Sequence, residues 1–271
     1  MNKKNFIGNK KKFAVYLLAT ATLYSKASLA ELPFSGNFET SLSTNSLTET
    51  NNNDSLSQDF SLSLYRMFEN KRLLIENSIS KDWKDEQKWT YNDPSLVFSH
   101  PLFDGEYNAV SASESVLMGL SEESRKNTTL LFNARGTLNF TLKDKAFALP
   151  GFRFIYSPSL RKSFHKNETT ASGRSNFEWT LAHKVTANYD FLEKFYIGAS
   201  LSYQRSWTYS NNERDRVDHT QNIGVNINES TYAELGHSYG ASPLTPDGKD
   251  YRVNFYNPAF STLYISIGFS F

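Results

Sequence analysis

The sequence ends on a segment that alternates in polarity, Ser261-Thr262-Leu263-Tyr264-Ile265-Ser266-Ile267-Gly268-Phe269-Ser270-Phe271. From residue 263 onward the odd positions hold large apolar side chains, and the even positions hold Tyr, Ser, Gly and Ser. A period of two places the apolar set on one face of a strand and the small polar set on the other. The segment therefore predicts a β-strand with one apolar face and one polar face.

The same alternation recurs along the chain, with turn residues between the alternating segments. The clearest interior example covers residues 130–142, where one face reads Leu, Phe, Ala, Gly, Leu, Phe, Leu. Ten more strands are predicted at residues 34–42, 60–64, 73–79, 96–98, 107–120, 152–156, 177–189, 195–203, 223–227 and 233–239. The strand at 96–98 has the weakest pattern because Pro94 and Pro101 bracket it, and proline cannot donate to a sheet ladder.

The connections between the twelve predicted strands fall into a short set and a long set. The short set covers residues 68–71, 103–106, 143–151, 191–194 and 228–230. The long set covers residues 47–55, 83–92, 165–175, 210–218 and 240–258. A transmembrane barrel has this asymmetry between its two ends. A ten-stranded alternative merges the third strand with the fourth or the tenth with the eleventh, which destroys the sorting, so twelve strands are favoured.

The first thirty residues have the layout of a secretory signal peptide. Lysines at positions 3, 4, 10, 11 and 12 precede an apolar run over 13–24, and Ser28-Leu29-Ala30 supplies a small-x-small cleavage site. The apolar run is too short to span a bilayer, which takes about 20 residues. We expect a signal peptide at residues 1–30 and a single barrel domain at 31–271. Because the chain has no Cys, it can hold neither a lipid-anchored Cys nor a disulfide.

The composition narrows the choice of partner and compartment. Removing the six lysines of the predicted signal peptide from the 29 basic residues leaves 23 against 28 acidic residues, a formal charge of −5. This balance does not indicate a nucleic-acid partner. The chain is hydrophilic on average, yet 15% of its residues are aromatic. A membrane barrel accounts for both properties, since lipid-facing and lumen-facing residues alternate while aromatic residues mark the two interfaces.

The signal peptide, the alternating strands and the terminal Phe271 together resemble the bacterial outer-membrane β-barrel class. The resemblance implies an all-β, porin-like, antiparallel up-and-down transmembrane barrel in the outer membrane of a Gram-negative cell. It implies that Phe269 and Phe271 form a membrane-assembly signal read by the barrel assembly machinery. It also implies contact with outer-membrane lipids and lipopolysaccharide, and it leaves a homo-oligomer open.

No pattern for catalysis, a metal or a cofactor emerges from the sequence. The five histidines lack the spacing of a zinc-ligand pair. The segment from His219 to Gly224 is similar to the active-site segment of outer-membrane phospholipases, but Gln221 stands where their nucleophilic Ser should be. The group of Asp215, Asp218 and His219 is loosely similar to the acidic sites of outer-membrane proteases, and we interpret it as a solvated loop. The sequence therefore predicts no enzyme.

The inward face of the predicted strands separates acidic from basic residues. The first three strands contribute Glu39, Asp59 and Glu76, and strands six to eight contribute mainly basic residues, namely Arg135, Arg153, Arg161 and Lys184. In a ring of twelve, the seventh strand lies opposite the first. An acidic wall is thus expected to face a basic wall, with Glu39, Glu76, Arg135 and Lys184 near mid-depth.

Three functions follow from this lumen, in order of preference. The first is a narrow diffusion channel for small polar or charged solutes. The second is a barrel whose lumen is filled by cross-lumen ion pairs and whose outer loops bind lipopolysaccharide or a surface partner. The third is an outer-membrane hydrolase. A barrel of eight strands has room only for side chains and one of sixteen encloses a channel, so twelve strands leave the first two functions open.

Two polar residues, Glu114 and His183, fall on the nominal lipid face of their strands. Either a β-bulge shifts the local register, or these positions contact another protein chain. The pattern alone leaves both explanations open.

Overall fold

Twelve antiparallel strand positions form a closed barrel in the computed structural model, which describes residues 34–45, 55–84, 87–244, 256–257 and 260–271. The predicted signal peptide lies outside the described residues. The strands are β1 (Ser35–Thr44), β2 (Leu56–Phe68), β3 (Lys71–Asp82), β4 (Trp89–Tyr91 and Ser95–Asp104), β5 (Asn108–Met118), β6 (Leu130–Leu142), β7 (Phe152–His165), β8 (Phe177–Phe191), β9 (Phe195–Thr208), β10 (Glu213–Asn228), β11 (Thr231–Ala241) and β12 (Ser261–Ser270).

The barrel closes where the last strand pairs with the first. Phe38 of β1 pairs with Phe269 of β12, and Thr44 pairs with Leu263. Every other strand pairs with its neighbours in chain order, and β2 pairs with β3. In hydrocarbon an unpaired backbone group costs several kcal/mol, and closure removes both sheet edges. The prediction of an antiparallel up-and-down barrel with twelve strands rather than ten is confirmed.

The fourth strand is broken into two segments that both pair with β3. Trp89–Tyr91 pairs with one end of β3, and the segment that begins at Ser95 pairs with the other end. The break falls just before Ser95, at the residues that include Pro94, because proline has no N–H to donate. Pro101 is accommodated by a register irregularity between it and Phe103. The two prolines that weakened the sequence pattern thus interrupt the strand without removing it.

The alternation predicted from the sequence separates an apolar outer face from a polar inner face. On the outer face of four consecutive strands lie Ile197, Ile223, Leu235 and Ile265, which are joined by cross-strand pairing and are all exposed. Their neighbours along each strand are small or polar and point into the lumen. Among the described residues no helix is long and apolar enough to cross a membrane.

Rows of directly paired residues climb from one end of the barrel to the other, as tilted strands require. One outer-face row comprises Leu64, Ile75, Leu96, Val116, Ala134, Lys162, Trp179 and Trp207. The row starts near the β2–β3 turn and ends near the β9–β10 connection. Paired residues on successive strands therefore lie progressively nearer the second end.

The two ends of the barrel differ in their connections. The turn rim carries the β2–β3, β4–β5, β6–β7, β8–β9 and β10–β11 turns, and the β6–β7 turn contains one turn of helix, Asp144–Phe147. The opposite end, the loop rim, carries the remaining connections. All four tryptophans of the chain lie at the loop rim, namely Trp83, Trp89, Trp179 and Trp207.

Two connections at the loop rim differ from the prediction. The predicted loop over 210–218 is wrong, because β10 already begins at Glu213 and only residues 209–212 connect it to β9. The β5–β6 connection, residues 119–129, is longer than predicted and contains a π-helical turn, Glu123–Thr128. The charged residues at the start of β10 hid its alternation, since they are paired across strands and do not belong to a solvated loop.

Three loop-rim connections are joined by hydrogen bonds into one loop network, comprising residues 119–129, 166–176 and 209–212. Its centre is the buried Asn176, whose Nδ2 donates to the carbonyls of Thr128 (2.7 Å) and Asn167 (3.0 Å). The backbone N–H of Tyr209 in turn donates to the carbonyl of Asn176 (3.1 Å). The network gives this side of the loop rim a defined structure.

The assignment of rims predicts which connections are reachable from outside a cell. A protease site inserted after Ser172, beside the open and positive-φ Gly173, should be cleaved on intact cells. The same insertion after Glu193, in the β8–β9 turn, should be cleaved only after the outer membrane is permeabilised. Immunoblotting of protease-treated cells makes the measurement. Cleavage at Glu193 on intact cells would invert the orientation.

Candidate functional site in the barrel lumen

The four predicted lumen charges, Glu39, Glu76, Arg135 and Lys184, all lie on the inner face in regular register. Each is directly paired with small or polar residues of the same face, such as Ser61 opposite Glu39. The structure does not bring the four together. They lie on four different strands, and each has its own surroundings.

The acidic wall consists of Glu39 and Glu234, held by three tyrosines. The carboxylate of Glu234 accepts hydrogen bonds from Tyr264 Oη (2.8 Å), Tyr196 Oη (3.0 Å) and Asn222 Nδ2 (2.6 Å). Glu39 accepts a hydrogen bond from Tyr232 Oη. Hydrogen bonds to a charged acceptor are stronger than neutral ones, so the tyrosines fix both carboxylates in place.

Each of these tyrosines lies across a glycine of the neighbouring strand. Three cross-strand pairs of this kind occur on the inner face: Tyr196 with Gly224, Tyr232 with Gly268, and Tyr264 with Gly236. A Cβ added at any of the three glycines would overlap the tyrosine ring. The glycines are therefore required because the rings lie flat against the wall, which directs the hydroxyls to the carboxylates and keeps the rings out of the lumen.

Gly236→Ala should destabilise the folded barrel, because the added methyl collides with the Tyr264 ring and moves its hydroxyl away from Glu234. Overpacking of this kind costs about 1–3 kcal/mol. Gly136→Ala is the matched control, since a Cβ added at Gly136 meets nothing within 4 Å. Urea unfolding of both variants in lipid vesicles makes the measurement. Equal stability of the two variants would contradict the packing described here.

Sequence reasoning missed Glu234 and the tyrosines. Period-two alternation in β11 already indicates that Tyr232 and Glu234 point inward, between the outward Ala233 and Leu235. The partners of Glu234 come from β9, β10 and β12, and their contact depends on the register of four strands. That register could not be read from single segments.

The basic wall consists of Arg135, Arg161 and Lys184 on β6, β7 and β8. Arg135 and Arg161 are directly paired across adjacent strands, and Arg161 Nη2 donates to Thr180 Oγ1 (3.0 Å). Lys184 lies four residues along β8 from Thr180. Within the described ranges, no carboxylate lies within ion-pair distance of any of these three cations. The basic wall therefore presents unneutralised charge to the lumen.

The other predicted lumen charges stand apart from these two walls. Glu76 accepts a hydrogen bond from Ser95 Oγ (3.0 Å), and Asp59 accepts one from Ser80 Oγ (2.5 Å). Arg153, near the turn rim, forms an ion pair with Asp190 (3.1 Å). Glu76 thus lies outside the acidic wall, and Arg153 is neutralised where Arg135 and Lys184 are not.

The residues compared with hydrolase sites do not form one. His219, Gln221 and His237 lie together on the outer face, where Gln221 hydrogen-bonds Nδ1 of both histidines (2.7 and 2.9 Å). The interpretation of residues 215–219 as a solvated loop is wrong, because they belong to β10. Asp215 is bound through both carboxylate oxygens by Arg205 (2.9 and 3.1 Å). In the described part of the chain, no three His, Cys, Asp or Glu side chains are placed to hold a metal ion.

Comparison with solved structures identifies the fold. The barrel matches an outer-membrane channel from Pseudomonas putida F1 with a TM-score of 0.60 at 8% identity, over 88% of this chain and 95% of that one. It matches the NanC porin with a TM-score of 0.56 at 9% identity, over 87% and 98%. It matches the KdgM porin in complex with disordered oligogalacturonate with a TM-score of 0.50 at 11% identity, over 88% and 99%.

This chain has the fold of outer-membrane channel barrels. The identities are low, so the likeness concerns the fold alone. No protein-family model matches the sequence, and no curated protein matches it. The three solved relatives are channels and porins by name, and each is covered almost completely, so the likeness extends over the whole barrel.

Proposed function

We propose that this protein is a narrow diffusion channel of the outer membrane for small polar or charged solutes. The fold supports a membrane-spanning barrel, and the apolar outer face matches a lipid environment. The solved relatives support the channel reading, since one of them holds oligogalacturonate as a complex. The residues that define the solute path are those of the acidic and basic walls.

The observation that carries the proposal is the separation of the two walls. A plugged lumen would satisfy its charges by cross-lumen ion pairs. Here Glu39 and Glu234 are instead bound by tyrosine and asparagine side chains of their own wall. The cations of the basic wall have no carboxylate partner within the described residues. Charges left in this state require water, so the geometry supports a hydrated lumen.

The two walls are not equivalent toward a passing ion. The carboxylate oxygens of Glu234 already accept three hydrogen bonds, whereas Arg135 and Lys184 keep their donors for the lumen. A lumen field of one sign concentrates ions of the opposite sign. The proposed channel therefore prefers anions, and its solutes belong to the class of small molecules with a carboxylate, phosphate or similar group.

Planar-bilayer recording of the purified, refolded protein tests the proposal. We expect discrete conductance steps, and a reversal potential in a KCl gradient that indicates chloride preference. Heat-modifiable migration on gels shows that the protein in the recording is folded. Folded protein without conductance would contradict the channel and favour a barrel whose loops bind lipopolysaccharide or a surface partner.

A further inference from the structure

The outward placement of Glu114 and His183 is a property of regular strands and not of a bulge. Glu114 pairs with Phe98 on one side and Gly136 on the other, without any register shift near it. His183 pairs with Pro158 and Tyr203, also in continuous register. The alternative of a local bulge is therefore excluded, and both polar side chains lie on the lipid-facing surface. There an ionised or hydrogen-bonding group is costly without a partner.

The two residues lie at nearly the same depth in the membrane. The row of paired residues through Glu114 runs by Gly136 and Leu160 to Leu181 of β8. With strands 4.8 Å apart and tilted by about 40°, this row climbs about 9 Å toward the loop rim over three strands. His183 lies two residues back toward the turn rim, which returns about 5 Å. The net difference in depth is therefore only about 4 Å.

The surface between them is shaped for close approach. Glu114 on β5 and His183 on β8 are three strand positions apart, about a quarter of the circumference of a twelve-stranded barrel. Between them lies Gly136, where the surface is open because a Cβ there would meet nothing within 4 Å. An acid and a base thus flank a low central surface at equal depth.

We infer that the β5–β8 face binds a second copy of this chain across a two-fold axis. In a two-fold interface the same patch meets itself, so a residue on one side of the axis contacts the residue on the other side. Glu114 of each copy is then opposite His183 of the other, and the two contacts are identical. A surface that carries both an acid and a base at matched depth is complementary to its own rotated copy.

The local hydrogen bonds leave both groups able to make this contact. His183 Nδ1 is hydrogen-bonded to Tyr156 Oη (2.8 Å), which leaves Nε2 for the carboxylate of the other copy. Glu114 has His100 Nδ1 at 3.8 Å, beyond hydrogen-bond distance, and its side chain is 57% exposed. The Glu114 carboxylate is therefore held on the surface with accepting capacity to spare.

A charge exchange tests the dimer. Wild-type protein in mild detergent should sediment as a dimer, and Glu114→His or His183→Glu alone should reduce the dimer fraction about tenfold, which corresponds to about 1.4 kcal/mol. The double variant with both exchanges should recover the dimer. Heat-modifiable migration shows whether each variant is a folded barrel. Folded wild-type protein that is monomeric at every concentration, or single variants that dimerise like the wild type, would overturn the inference.

Cross-linking fixes the geometry, and the absence of Cys from the chain gives a clean background. Glu114→Cys and His183→Cys should each give no dimer when oxidised alone in vesicles, but a disulfide dimer when co-expressed. Ile265→Cys, on a distant outer face, is the control that should not cross-link with either. A dimer from Glu114→Cys alone would contradict the two-fold arrangement. Neither experiment depends on conductance, so the inference can fail while the channel stands, and the reverse.

Discussion

Replacing Arg135 and Lys184 together by Glu should turn an anion-preferring lumen into a cation-preferring one. The exchange leaves the lipid face untouched, so the barrel should still fold. Reversing two unpartnered charges beside the solute path changes the local ion energy by about 1.4 kcal/mol or more, about tenfold in the permeability ratio. Reversal potentials in a KCl gradient measure the change. The exchange to Ala should shift the ratio in the same direction by less.

The matched control changes the same net charge away from the lumen wall. Lys143 and Lys145 lie in the β6–β7 turn, where they pair with Asp104 and Glu106. Their replacement by Glu should leave the permeability ratio near the wild-type value. Loss of the folded barrel in the Arg135 and Lys184 variant, together with no conductance from the wild type, would indicate buried charges and end the channel proposal.

Deletion of Phe271 should leave the protein synthesised and exported but poorly inserted into the outer membrane. The expectation rests on the resemblance to outer-membrane barrels, whose terminal aromatic residue serves the assembly machinery. Phe269 lies in β12 on the outer face and pairs with Phe38, so it also supports the closing seam. Heat-modifiable barrel in outer-membrane fractions measures insertion, and Phe271→Tyr is the control that should insert. Normal insertion of the deletion variant would count against the assembly signal.

Most of the fold could be predicted from the sequence because period-two alternation is a local property. The segments at β6, β9 and β12 show this plainly, since their outward residues are apolar and their inward residues small or polar. The prediction failed at the start of β10, where Asp215 lies on the outer face. Its pairing with Arg205 neutralises the charge, and a partner on another strand is invisible to a local pattern.

The site could be predicted only in part, for a related reason. Alternation indicated the inward direction of Glu39, Arg135 and Lys184, which is a matter of parity along one strand. It could not show that Glu39 is bound by Tyr232, because that contact joins residues 193 positions apart in the chain. Whether a lumen charge is satisfied or free depends on such contacts, and they follow from barrel closure.

The gathering of every tryptophan at the loop rim makes the ultraviolet emission of this chain a report on one bilayer leaflet only. Each indole lies at the same end of the barrel, and the turn rim contributes none within the chain. A lipid-borne quencher confined to the leaflet around the loop rim would reach the tryptophan population as a whole, and one in the other leaflet would not. The barrel thus carries a built-in gauge of its own orientation in a vesicle.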